Sequence, residues 1–437
     1  MLDESSYQAV VRSLFARQPT RMLPGLERIS ALAELLGRPD QSYPCVQVTG
    51  TNGKTTTSHM ISCLLGALGL KAGTYTSPHL QDVRERIRVA SELISRQAVV
   101  DGLEYLGPFI AEVEAAHPEG VSFFEVLTAL ALNHFGDAPV DVAVLEVGLG
   151  GRWDATNVVD GQVAVLTDIS LDHSELGSTL AEVAGEKSGI IDDGAVVVSA
   201  PQPPEAMAVV EAAARERGAQ LTLAGRDFGL TDRRAAVGGQ QLSLRGVTGD
   251  FDEVFLPLHG AHQAANAAYA LAAVEGFLGF AGGLDADVIR TGFAAVRSPG
   301  RLEVVRRAGL APVLLDGAHN PAGAHSLAVA LDGEFAFRHR VFVLGVLGDK
   351  DVEAMVGELL GVADHVVVTE PPSSRAAPAD RLDKAIRGSG RSVEVAADIG
   401  EALELATGLA GAADVVVVTG SLYTVGAARD ALGLDPA

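Results

Sequence analysis

The chain has 437 residues, 48% hydrophobic and 20% charged, a globular profile with room for two or three domains. Its net charge of −23, from 33 Lys and Arg against 56 Asp and Glu, argues against a nucleic-acid-binding surface or docking on an anionic membrane. It leaves room for an anionic small molecule held by a few local cations. No apolar run reaches the roughly 18 residues of a membrane span, and the first residues lack a basic-then-apolar export signal. Two cysteines, Cys45 and Cys63, suit a reducing compartment, so a cytoplasmic protein is expected. Only five basic residues are lysine: Lys54, Lys71, Lys187, Lys350 and Lys384. Compositional bias toward Arg accounts for the scarcity, and where Lys persists its primary amine is a candidate chemical requirement.

In chain order, short β-branched runs alternate with longer Ala/Leu-rich periodic segments. Cys45–Thr49, Val140–Val147, Val163–Asp168 and Ala195–Ser199 read as strands, with helices such as Lys54–Gly69 and Phe124–His134 between them. Apolar runs separated by helices imply an α/β fold with a mostly parallel sheet covered on both faces. From about Leu221 to Leu258, alternating runs and turns such as Val237-Gly238-Gly239 predict a small antiparallel sheet, and a helix of small residues follows at about Ala261–Leu278. Arg297-Ser298-Pro299-Gly300 reads as a hinge and divides the chain into domains 1–297 and 298–437. Beyond it Val313–Asp316, Val341–Leu347, His365–Thr369, Ser392–Val395 and Val415–Thr419 each precede a helical pattern, which predicts a second, Rossmann-like α/β domain. Ligands of such sheets bind at C-terminal strand ends. Those ends carry Gly50, Glu146, Asp168, Asp316 and Gly420.

The sharpest motif runs from Thr49 through Gly50-Thr51-Asn52-Gly53-Lys54-Thr55-Thr56. A buried-type strand enters a Gly-containing loop and a helix starts at Lys54, so backbone N–H groups and the helix N-terminus converge where phosphate oxygens sit. Lys54 reaches the β/γ-phosphates and Thr55 a Mg²⁺ ion in such a loop. Val48 stands where the common pattern has a further Gly, so this is a variant. Glu146 ends an apolar strand, where a Mg²⁺-nucleotide enzyme places a metal ligand, and Gly148-Leu149-Gly150-Gly151 follows. Asp172-His173 lies just past a neighbouring strand end.

These motifs, with Thr76-Ser77-Pro78-His79-Leu80, Glu85-Arg86-Ile87, Glu186-Lys187-Ser188-Gly189-Ile190, His262 to Asn266, Pro299 to Glu303, Asp316 to Pro321, Gly348-Asp349-Lys350-Asp351 and Gly420-Ser421-Leu422-Tyr423, resemble the folylpolyglutamate synthase/dihydrofolate synthase family of the Mur ligase superfamily. The likeness spans nearly the whole chain in the family's order. It implies an N-terminal ATPase domain and a C-terminal glutamate-ligase domain, and an enzyme that joins L-glutamate to a folate or to dihydropteroate at the expense of ATP through an acyl phosphate. A monomer is expected. The resemblance puts ATP on Gly50, Thr51, Asn52, Gly53, Lys54, Thr55, Thr56, Asn266, Arg301 and Asp316. It puts one Mg²⁺ on Ser77 and Glu146 and a second on His173, and it makes Lys187 a carbamylated lysine. It places Asp316 and His319 near the reacting centre and Ser421 near the incoming glutamate. Ser122, Phe123, Phe124, Glu125, Asp154 and Ala155 fall on the pterin side, and Pro19–Arg28 resembles a substrate loop. Arg301, just past the hinge, reaches the phosphates when the domains close. At Val89-Ala90-Ser91-Glu92 the family's Gly-containing turn is missing, a departure expected to affect a surface turn.

Three other readings compete. A peptidoglycan-precursor Mur ligase carries a UDP-binding domain, for which the 49 residues before Gly50 are too few. From another class comes a P-loop NTPase switch or kinase; a GTPase needs an Asn-Lys-x-Asp motif, which the sequence lacks. A regulatory nucleotide-binding relic is expected to have lost Lys54, Glu146, His173 or Lys187, and all four remain.

Overall fold

The computed structural model describes residues 4–18, 24–171, 174–388, 391 and 393–436. Strands β1 (Cys45–Thr49), β2 (Ala72–Tyr75), β3 (Ile87–Val89), β4 (Glu92–Leu93), β5 (Val142–Glu146), β6 (Gly161–Leu166), β7 (Val196–Ser199) and β8 (Gln220–Leu223) form an eight-stranded sheet. Its order is β4-β3-β2-β5-β1-β6-β7-β8, parallel from β2 to β8. Successive side chains on a strand point to opposite faces, and here both faces are buried. Val46, Val48, Val142 and Val144 enter a core with the helices Lys54–Ala67 and Ala261–Phe277. Cys45, Ala143 and Leu145 enter a second core with the helices Arg96–Ala116 and Phe123–Asp137. Neither cysteine is in a disulfide.

β9 (Gly229–Ala236), β10 (Gly239–Arg245) and β11 (Asp250–Leu256) make the expected antiparallel sheet. It starts later than the turn pattern suggested: the run at Leu221 is β8, which pairs parallel with β7 as the edge of the large sheet. The remaining strands are β12 (Glu303–Val305), β13 (Val313–Leu315), β14 (Arg340–Leu344), β15 (His365–Val368), β16 (Val393–Val395) and β17 (Val415–Thr419), in the order β12-β13-β17-β14-β15-β16. This sheet is parallel except for β12. Three-residue β12 carries no alternation long enough to read, and the sheet therefore begins ten residues before the first strand expected from sequence. No helix among the described residues is long and apolar enough to cross a membrane.

The departure at Val89–Glu92 is the two-residue turn of the β3–β4 hairpin. Ala90 (φ 49°) and Ser91 (φ 70°) are both left-handed and exposed, a conformation that Asn-Gly adopts with least strain. Ala90→Asn combined with Ser91→Gly is expected to raise stability by about 1 kcal/mol, read as a higher thermal midpoint with unchanged activity.

Candidate functional site

The parallel topology gathers the strand ends. β5, β1 and β6 are neighbours, so Glu146, the loop after Thr49 and Asp168 share one edge. In the second sheet β13 and β17 are neighbours and bring Asp316 beside Gly420 and Ser421. The two edges face each other across a cavity of about 560 Å³ lined by the Gly50–Thr56 loop, Ser77, Glu146, Asp168, Lys187, Asn266, Arg301, Asp316, His319, Lys350, Arg375 and Ser421.

The loop is built for close approach. Gly53 has φ +85°, and a Cβ there would lie 2.7 Å from Asn266 Oδ1, so only glycine fits. No side chain caps the Lys54–Ala67 helix, which leaves its first-turn N–H groups to a ligand. Lys54 Nζ donates to the carbonyls of Gly50 (3.1 Å) and Thr51 (3.2 Å). Asn52 accepts from Asn320 Nδ2 at 3.1 Å, a bond between the two sheet units. Thr56 lines the cavity, but its buried hydroxyl pairs with Ser298 Oγ at 2.9 Å. That side chain ties the helix to the hinge segment.

Glu146 is 1% exposed. It accepts from Thr55 Oγ1 and from the Ser77 backbone N–H, each at 2.9 Å. Burial pushes its carboxyl above the usual range, against the pull of Lys54, the Ser77 N–H, Thr55 and Arg301. Asp168 is likewise raised by burial and opposed by Lys54. A buried carboxylate beside hydroxyl donors and without soft ligands fits a hard divalent cation such as Mg²⁺. His173 and Asp172 lie outside the described residues, as do residues 19–23 of the expected substrate loop.

Lys187 is buried, and its Nζ donates to the Gly50 carbonyl at 2.6 Å. A carbamate at Nζ would retain one N–H for that bond. Asp316 is fixed by the N–H groups of Leu302 (2.9 Å) and Ala318 (3.0 Å), and burial raises its carboxyl against the pull of Arg301. His319 Nδ1 lies 2.8 Å from the Gly317 carbonyl. A carbonyl only accepts, so Nδ1 is the donor in this contact, and in the neutral form of the ring Nε2 is the basic nitrogen. Ser421 caps the helix Leu422–Ala431 by accepting from Thr424 N.

A second cavity of about 370 Å³ adjoins the first and shares Ser77, Pro78, Gly148, Leu149 and Leu176 with it. Phe123, Phe124, Trp153, Asp154, Ala155 and Arg86 line it. All six residues expected on the pterin side lie here, but three of them also build local structure. Ser122 and Glu125 form the reciprocal cap of the helix Phe123–Asp137, and Glu125 also takes Arg28 Nε at 2.9 Å. Asp154 accepts from Leu149 N, Thr156 N and Thr156 Oγ1. Phe124 packs against Tyr75, with ring centroids 5.8 Å apart.

Sequence reasoning assigned no role to Arg375, His262 or Trp153 on the cavity walls. His262, pushed down to about 4 by burial, belongs to a quoted motif. Trp153 sits inside another. Arg375 falls in the aperiodic run Pro371–Pro378, where no pattern marks it.

The Mur ligase middle domain family matches residues 48–274, and the Mur ligase glutamate ligase domain family matches residues 300–422. A dihydrofolate synthase/folylpolyglutamate synthase of Mycobacterium tuberculosis is 46% identical over 95% of this chain and 92% of its own length. The structure of Mycobacterium tuberculosis folylpolyglutamate synthase complexed with ADP and AMPPCP superposes with a TM-score of 0.93 at 45% identity, covering 99% of both chains. An FPGS–AMPPCP–folate complex superposes at 0.86 with 32% identity, over 98% of this chain and 99% of that one.

Proposed function

Since the chain belongs to the dihydrofolate synthase/folylpolyglutamate synthase family of the Mur ligases, we propose that its adjoining cavities carry out ATP-dependent ligation of L-glutamate to a folate and to dihydropteroate. The observation that carries this reading is the joining of a phosphate loop, the buried strand-end carboxylate Glu146 and the cations Lys54 and Arg301 in one cavity, with an aromatic-walled cavity opening beside it.

ATP lies along Gly50–Thr55 with its γ-phosphate toward Lys54 and Arg301. The flat acceptor lies against Phe123, Phe124 and Trp153 and extends its carboxylate past Ser77 and Gly148 into the larger cavity. A carboxylate oxygen attacks the γ-phosphorus, the bond to ADP breaks, and an acyl phosphate forms. The glutamate amine, having lost a proton to His319 Nε2, attacks the acyl carbon. The tetrahedral intermediate expels phosphate, which carries off the second amine proton, and leaves an amide. Lys54 and Arg301 offset the phosphate charge, and the loop N–H groups orient it. Thr55, Ser77 and Glu146 would hold Mg²⁺, which when bound neutralises phosphate charge. Asp316, fixed by two backbone N–H groups, one of them that of Leu302 next to Arg301, is a positioned anion that attracts the Arg301 charge.

Division of the chain at residue 297/298 puts Lys54, Thr55 and Glu146 on one unit and Arg301, Asp316 and His319 on the other. Closure about Ser298–Gly300 then assembles the site. Glutamate is a dicarboxylate, and Lys350 and Arg375 supply cations on the wall of the second unit. Arg375→Ala is expected to raise the glutamate KM about tenfold or more with little change in the ATP KM, the cost of one charge-assisted hydrogen bond. Initial rates over a glutamate titration check it.

A carbamate on Lys187 would place an anion on the cavity wall next to the loop. It is tested by rescue: Lys187→Ala loses activity, and a short carboxylic acid restores part of it. The function is tested by glutamate-dependent ADP release with dihydropteroate or tetrahydrofolate as acceptor. Turnover with both supports the dual reading, turnover with one narrows it, and turnover with neither overturns it.

A further inference from the structure

The loop that carries Ser77 is held from the far side. Leu80 packs into the hydrophobic cluster formed by Val425, Ala428 and their neighbours in the second unit. At Gly426 a Cβ would lie 2.9 Å from the Leu80 carbonyl carbon, so the absence of a side chain lets helix Leu422–Ala431 meet the loop backbone. Next to it, Arg429 is only 3% exposed. Its Nε donates to Gln81 Oε1 at 2.7 Å, its Nη1 pairs with Glu303 Oε1, and its Nη2 donates to the Asp435 carbonyl at 2.8 Å. Gln81 Nε2 returns two bonds, to Asp430 Oδ1 (2.8 Å) and the Leu434 carbonyl (2.9 Å). The other oxygen of Glu303 accepts from Gly300 N at 2.8 Å. The hinge is pinned at its opposite end by Thr56–Ser298.

We propose that Arg429 is a positioning residue that locks the Ser77–Asp82 loop to the Ser298–Glu303 segment, so that Ser77 and Arg301 take their places in the cavity together. One guanidinium joins a loop of the first unit to the segment that delivers Arg301. The fork geometry of Arg suits this, since it engages partners in different directions from a rigid plane. The buried member is the guanidinium: the Arg429 side chain is 4% exposed against 25% for Glu303, so removing it costs all its connections at once. The role of Ser77 and Arg301 rests on the ligase reading above. The lock itself rests on the contacts.

The test uses Arg429→Gln and Gln81→Ala in the full-length chain. Gln81→Ala keeps the Arg429–Glu303 pair, so it decides the matter if Arg429→Gln fails to fold. Hydrogen–deuterium exchange without substrates is expected to rise about tenfold or more in peptides covering residues 77–86, with peptides of the Lys54–Ala67 helix unchanged. In turnover assays the half-saturating Mg²⁺ concentration is expected to rise about tenfold. Unaltered exchange at residues 77–86 in folded Gln81→Ala overturns the proposal. Faster exchange with unchanged Mg²⁺ dependence in an active enzyme also overturns it, because Arg429 is then structural only. If the wild-type chain turns over neither acceptor, the ligase reading falls, while the exchange result still judges the lock.

Discussion

Lys54→Met is expected to leave a folded protein whose kcat has dropped about 10³-fold or more. The side chain reaches over the loop it follows and donates to two of its carbonyls. Those bonds hold the amine ready and contribute little to the fold, because the loop is also tied by Thr167 Oγ1 to the Asn52 carbonyl (2.6 Å) and by Thr51 N to the Asp168 carbonyl (2.7 Å). Methionine keeps the apolar stem and removes the charge. Charge on the transferring phosphoryl group and the leaving ADP is what the ammonium meets, so the loss falls on kcat more than on the ATP KM. Lys54→Arg is not expected to restore the rate, since a planar guanidinium does not fit where a compact ammonium sits. Steady-state ADP release and the thermal midpoint of each variant check both statements.

Glu146→Gln is expected to separate stability from function. Activity falls about 10²-fold or more, and the remaining turnover needs more Mg²⁺. The thermal midpoint measured without metal rises. The sign follows from burial. A carboxyl whose pKa is raised in the folded state destabilises the fold once it is ionised, and that penalty disappears as pH falls through the folded pKa. Glutamine is neutral at every pH and fills the same space. Its Oε1 accepts the Ser77 N–H and its Nε2 donates to the Thr55 hydroxyl, which can accept. A site kept costly by a buried charge is a common place for activity and stability to oppose one another. Mg²⁺ titrations of rate, with unfolding scans in EDTA, measure both effects.

Much of this fold is legible in the sequence. The central strands announce themselves because both faces are buried and the runs are β-branched: β1 and β17 begin and end where the sequence places them. The ends of such strands carry Glu146, Asp168 and Asp316, and all three line one cavity. What was not legible has a common physical cause. β2, β3, β4 and β12 are two to four residues long, too short for an alternation to stand out. β8 owes its place to pairing with β7 rather than to its own pattern. Side-chain hydrogen bonds escape sequence reasoning altogether. Thr56 sits in a phosphate motif and yet its hydroxyl belongs to Ser298, while Glu125 is absorbed by a helix cap and by Arg28. Arg429 lies in an ordinary amphipathic helix, and only the fold reveals that it reaches Gln81, 348 positions away.

The lysine scarcity has a structural counterpart. Lys54, Lys187 and Lys350 all line the larger cavity, and the amines of Lys54 and Lys187 both donate to the Gly50 carbonyl. In a chain with 28 arginines, three of the five lysines line this cavity, and two of those meet a tight backbone loop with a compact amine.

In the proposed reaction the acceptor carboxylate is activated by phosphorylation inside this cavity. Acceptor labelled with ¹⁸O in its carboxylate, incubated with enzyme, ATP and L-glutamate, tests it directly. Each released phosphate is expected to carry one ¹⁸O atom from the acceptor, in step with amide formed. Unlabelled phosphate released alongside the amide would contradict it.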